Sequence, residues 1–244
     1  MNYKEIPPSS VLAPYIHTFW ELTGEKTDKQ WERNFPDGCA GIVVNLGDTC
    51  ITDNGLTKMD FGKTYAVGAM TSYKDSFIKN DTHLFGVCLK PGAFSNFYNF
   101  APQSEILDQT IQFGMEYACN IDKFIKDPIR FLNGFFIERL QRRRGGLESV
   151  IEDIHQTKGQ VGISEIAKKN FITVRQLERK FKTHLGVSPK EYANVVRFQY
   201  ALSKIRETGR EMSLLDIAIE CGYYDHSHLA NDIKKNTGMV PSQF

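Results

Sequence analysis

The 244-residue chain reads as a two-domain α+β protein. A β-barrel or sandwich-like amino-terminal domain with flanking helices is followed by an all-α domain, in which two helix-turn-helix units are joined by a long helix. Three observations predict this. Short apolar runs broken by Gly and Pro fill the chain to about residue 115. Apolar residues at helical spacing take over from Asp127. One short helical pattern then occurs twice, about fifty residues apart.

The β signals come first. Residues 40–46 form a β-branched run behind the turn-former Pro36, Asp37, Gly38, and residues 64–70 and 83–89 are similar. Asp53, Asn54 and Gly55 are a hairpin signal. Many short strands with such punctuation favour a barrel or sandwich.

Asp127 can cap a helix whose first position suits Pro128. Phe131, Leu132, Phe135, Phe136 and Leu140 then make an apolar stripe. This stripe is either a dimer seam or packing against the protein's own sheet. The helix runs into Arg142, Arg143, Arg144, Gly145 and Gly146, a stop signal and linker. The border is placed there, giving domains 1–144 and 145–244. The three arginines are either a phosphate contact or a solvated helix end.

The repeat pairs Ile166-Ala167 with Ile217-Ala218 and Leu177, Phe181, Lys182, Gly186 and Pro189 with Leu229, Ile233, Lys234, Gly238 and Pro241. The offset grows from 51 to 52, so the second turn holds one extra residue. The units span about 162–185 and 213–237. Thr173 and Asp225 are N-caps, each four residues before a core leucine. Leu177, Phe181 and Leu185 face inward, which leaves Arg175, Glu178, Arg179 and Lys182 on one exposed face. In the second copy Ser227, Ala230, Asn231 and Lys234 share the outer stripe, with His226 at its start. Arg bonds guanine bidentately, Asn reads adenine, and the B-DNA major groove admits one helix. Between the copies, Ser188, Pro189 and Glu191 open a long helix with Val195, Phe198, Ala201, Leu202 and Ile205 on its apolar side.

The net charge of +1 hides an asymmetry. Residues 1–140 hold 13 Lys+Arg against 17 Asp+Glu, and the rest hold 17 against 12, so balances of −4 and +5 face each other. A basic carboxy-terminal part suits a polyanion. No apolar run reaches the roughly 20 residues of a membrane helix, and the start lacks a secretory pattern, so a cytoplasmic protein is expected.

Residues 175–182, Gly186, Pro189, Tyr192, Arg197 and Phe198, then Asp216, Ala218, Cys221, Gly222, Ser227, Lys234, Lys235, Gly238 and residues 241–244, carry a resemblance. Over roughly residues 150–244 the chain resembles the DNA-binding domain of AraC-type (AraC/XylS) transcription regulators. The resemblance implies base reading by Arg175, Glu178 and Arg179, and by His226, Ser227 and Asn231. The family often has Arg where Asn231 stands and Phe where Ile233 stands, and Asp232 adds a negative charge. Lys169, Lys182, Lys190, Lys234 and Lys235 are expected at phosphates. Residues 35–39, 45–47, 67–68 and 90–93 resemble the β-rich sensor domains attached to such regulators, which implies small-molecule binding or dimerisation there. Trp20, Asp37 and Asn45 are the effector candidates; the alternatives are aromatic core packing for Trp20 and turn or core roles for Asp37 and Asn45.

The expected partners are double-stranded DNA, RNA polymerase, a small-molecule effector and a second copy of the chain. The alternative is a β-barrel small-molecule enzyme with an attached DNA-binding domain. His17 and His83 stand alone, no GxSxG elbow occurs, and the five cysteines show no CxxC spacing. No catalytic set, metal or cofactor is therefore expected.

Overall fold

The apolar runs near 40, 64 and 83 become three adjacent strands in the computed structural model, which describes residues 1–26, 29–99, 102–141, 146–209 and 211–244. They are β4 (Gly41–Asn45), β7 (Thr64–Val67) and β9 (His83–Leu89). With β1 (Asn2–Ile6), β2 (Ile16–Thr23) and β10 (Thr110–Gln112) they form an antiparallel sheet ordered β1-β2-β9-β4-β7-β10. A second sheet, β3-β8-β5-β6, comprises β3 (Lys29–Asn34), β5 (Cys50–Thr52), β6 (Thr57–Met59) and β8 (Lys74–Lys79). The expected Asp53–Gly55 hairpin is there, with Asn54 at φ 58° between the paired strands β5 and β6.

Strand alternation gives each face of the larger sheet a different task. Ile42, Val44, Phe85 and Val87 join a core with α1 (Ile121–Lys126) and α2 (Pro128–Arg139), which supply Phe124, Leu132, Phe135 and Phe136. Val43, Tyr65 and Leu84 point the other way, into a smaller cluster with Cys50 and Met59 of the second sheet. The aromatic stripe of α2 is thus internal packing and not a dimer seam. Asp127 caps α2 by accepting from the Arg130 amide at 3.1 Å. Arg142, Arg143 and Arg144 lie outside the described residues.

The carboxy-terminal part holds α3 (Glu148–Gln156), α4 (Ile163–Lys169), α5 (Val174–His184), α6 (Pro189–Thr208), α7 (Leu214–Glu220) and α8 (His226–Thr237). A Ser188–Glu191 capping box starts α6. Tyr192, Ala193 and Val196 of α6 enter the core of the first unit with Ile166, Ala167, Leu177 and Phe181. Phe198, Ala201, Leu202 and Ile205 enter the core of the second with Ile217, Ala218, Leu229 and Ile233.

Residues 170–173 separate α4 from α5, and residues 221–225 separate α7 from α8, so the extra residue falls in the second turn. Both turns need a left-handed residue. The second uses Gly222 at φ 72°, whereas the first uses Phe171 at φ 54° with its ring 97% exposed. A bulky residue there is strained by roughly 1–2 kcal/mol, and the exposed ring recovers little of that by burial. Phe171→Gly is expected to raise stability by up to about 1 kcal/mol after the entropy of glycine is set against the relief. A urea midpoint that falls would disprove the strain.

Candidate nucleic-acid interface

Both second helices of the repeat present the expected side chains outward. A capping box fixes the start of α5: Thr173 Oγ1 accepts from the Gln176 amide, and the Gln176 side chain accepts from the Thr173 amide. Leu177 and Phe181 are fully buried, which turns Arg175, Glu178, Arg179 and Lys182 to solvent. Among the described residues no side-chain partner holds Arg175, Glu178 or Arg179.

In α8 the Asp225 carboxylate accepts from the His228 amide at 2.7 Å, and Leu229 and Ile233 are buried. His226, Ser227, Asn231, Lys234 and Lys235 are exposed. Asp232, which the sequence set among the outward groups, turns aside. It accepts from Tyr223 Oη at 2.6 Å and Asn236 Nδ2 at 3.0 Å, and Arg197 lies 4.4 Å from the centre of the Tyr223 ring. Its charge is satisfied within the unit.

The expected phosphate lysines differ in freedom. Lys190, Lys234 and Lys235 are exposed, and no ion pair holds them among the described residues. Lys182 lies 3.3 Å from Glu191, and Lys169 hydrogen-bonds Asp153, holding that carboxyl below its usual range. Such surface pairs are worth at most about 1 kcal/mol and open readily.

Two seams tie these units to the β domain. His184, at the end of α5, bonds Ser95 Oγ at 3.1 Å, and Leu107 packs into the first core. Arg33 of β3 grips Asp75 through two bonds (2.7 and 2.9 Å) and donates to the Thr237 carbonyl, at the C-terminus of α8, at 3.0 Å. A cation suits that end of the helix dipole. Phe35 meets Phe244 edge-on at 5.9 Å, and Gln199 donates to the Pro36 carbonyl. Arg33 carried no sequence signal, since its partners lie 42 and 204 residues away.

A cavity of ≈ 500 Å³ opens between the sheets. Of the three effector candidates, Trp20 and Asp37 line it. Asn45 does not. It is wholly buried and stitches a loop, donating to the Asp48 and Met59 carbonyls and accepting from the Gly47 amide. Buried Lys74 is neutralised there by Asp53 at 2.8 Å. Glu5, Glu32 and Asp37 add carboxylates to the lining and His17 an imidazole.

Residues 166–244 match a family model described as a helix-turn-helix domain. This segment is an AraC-type helix-turn-helix domain. Residues 4–112 match a domain of unknown function, DUF6597. The AraC-type segment is similar to the HTH-type transcriptional regulator CdhR of Pseudomonas aeruginosa, with 30% identity over 79 residues, 32% of this chain and 23% of that protein. It is also similar to the HTH-type transcriptional activator RhaS of Escherichia coli O139:H28, with 29% identity over 82 residues, 34% of this chain and 29% of that one. The match thus spans about a quarter of the length of these curated relatives. Beyond the AraC-type domain, the fold of the whole chain is similar to ToxT of Vibrio cholerae, with TM-score 0.51 and 12% identity over 100% of this chain and 97% of that one. Another ToxT structure, bound to (E)-4-(8-methylnaphthalen-1-yl)but-3-enoic acid, gives TM-score 0.50 at 11% identity, over 100% and 98% of the two chains. The shared fold is a β-rich amino-terminal domain followed by the helical one.

The seam at His184 and the core bond of His155 to Tyr192 Oη (2.8 Å) depend on pH. Burial is the main cause holding both imidazoles below the 6.5 of a free side chain, with Lys180 adding to it at His184. The folded state therefore binds fewer protons than the unfolded chain. Stability is fully present above pH 6.5 and is lost as pH falls through the depressed values. Melting temperature is expected to drop on acidification below pH 6.5, and His184→Gln to flatten part of the slope. An unchanged slope in that variant would remove His184 from the account.

Proposed function

We propose that this protein is a sequence-specific, double-stranded-DNA-binding transcription regulator of the cytoplasm, controlled by a small molecule in the β-domain cavity. One observation carries the reading. Arg175, Glu178 and Arg179 on α5, and His226, Ser227 and Asn231 on α8, stand exposed on two helices held by one shared rod. At 1.5 Å per residue that rod is about 30 Å long, close to the ~34 Å between successive major-groove faces. Lys182, Lys190, Lys234 and Lys235 contact phosphates, and Lys169 joins them by leaving Asp153. RNA polymerase and a second copy of the chain complete the partners. The domain border falls at residues 144/145, between the last residue of the sensor core, Phe136, and the first of the helical core, Leu147.

The cavity favours an effector with a positive charge or several N–H or O–H donors. Lys74 in its lining is paired, while Glu5, Glu32 and Asp37 add acceptor capacity. Amines and polyols are expected to raise the melting temperature in a ligand screen more than carboxylic acids of the same size. Preferential stabilisation by the acids would reverse the assignment.

Selection of duplexes from a random pool by the full-length protein tests the DNA reading, and two short blocks one turn apart are expected. Arg179→Ala should lose roughly 1–3 kcal/mol of base discrimination. Lys235→Ala should weaken all duplexes alike and lower the salt slope by ~0.9. Equal losses on specific and random duplex in both variants would sink the division of roles.

A further inference from the structure

The region between the sheets contains a second kind of chemistry. The Asp37 carboxylate and the thiols of Cys39 and Cys88 bring one ligand atom each to within 4.8 Å of one another. The backbone explains the meeting. Cys88 sits on β9 opposite Gly41 of β4, and the Leu89 amide donates to the Ala40 carbonyl at 3.0 Å, so the entry to β4 runs beside Cys88. Just before it, Gly38 turns the chain at φ 73°. The Asp37 carboxylate then folds back and accepts from the Cys39 amide at 2.9 Å.

We propose that Asp37, Cys39 and Cys88 form a binding site for a thiophilic divalent cation of the zinc class. Two thiolates and a carboxylate are a donor set suited to such an ion and unsuited to magnesium or calcium. At a Zn–S distance of about 2.3 Å, tetrahedral thiolates stand about 3.8 Å apart, so small side-chain rotations complete the site. Three protein ligands leave one position open, and both Asp37 and Cys88 face the cavity, as does His17.

Binding exchanges protons for the ion: each thiol releases its proton to solvent as its sulfur takes the metal.

The loop is also clamped. A Cβ on Gly38 would lie 2.6 Å from the Tyr192 ring, and Gln199 holds the Pro36 carbonyl, both from α6. The ligands are thus held before any ion arrives. This site goes beyond the DNA reading and stands without it.

The test adds Co²⁺ as probe to the full-length, reduced protein. A thiolate-to-cobalt charge-transfer band saturating at one ion per chain is expected. Cys39→Ser and Cys88→Ser should each abolish it, Asp37→Asn should weaken binding at least ~10-fold, and Cys50→Ser should keep it. Circular dichroism checks the fold of each variant. If a variant unfolds, the wild-type protein still decides: Zn²⁺ must slow alkylation of Cys39 and Cys88, reversibly with chelator. Absence of the band, its survival in the Cys39/Cys88 double variant, or unslowed alkylation overturns the proposal. So does a Cys39–Cys88 disulfide in a protein whose reduced form takes no cobalt.

Discussion

The carboxy-terminal half depends on one helix serving two hydrophobic cores. Within six residues, α6 passes from Val196 in the first core to Phe198 and Leu202 in the second. Neither helix-turn-helix unit buries its apolar face without it. Fully burying one such side chain is worth roughly 1.5–3 kcal/mol, so either core weighs more than any surface ion pair on the domain. The relative placement of α5 and α8 is thus a matter of packing. It does not depend on loops.

Much of this was legible in the sequence. The doubled pattern, its one-residue slip, the caps at Thr173, Ser188 and Asp225 and the outward faces of α5 and α8 follow from helical periodicity and capping chemistry, which are local. The three central strands were also legible, because strands within a sheet are apolar runs. Strands β1, β3 and β8 were not: residues such as Lys4, Glu5, Glu32, Arg33, Lys74 and Asp75 give them a polar surface pattern. For Asn45 the sequence left a pocket role and a turn or core role open. Its three backbone partners show that it satisfies a loop instead.

The meeting of Cys39 with Cys88 and the grip of Arg33 on α8 share one reason for being hidden. Each joins positions tens or hundreds of residues apart, and spacing rules see only neighbours. The larger sheet sorts its residues by alternation: helices cover one face, and the other borders the cavity. Cys88 reaches the cavity because it falls on the face of the strand opposite Phe85, Val87 and Leu89, which pack beneath the helices.

Docking at the rear of both α5 and α8 has a mechanical consequence. With α5 held near Ser95 and α8 held by Arg33, the two helices form a stiff caliper of fixed gap. On the regulatory reading the duplex is the compliant member. Base steps lying between the two helices then influence affinity through their bendability alone, though no side chain touches them, since curving 20–30 base pairs takes of order 1–6 kcal/mol depending on sequence.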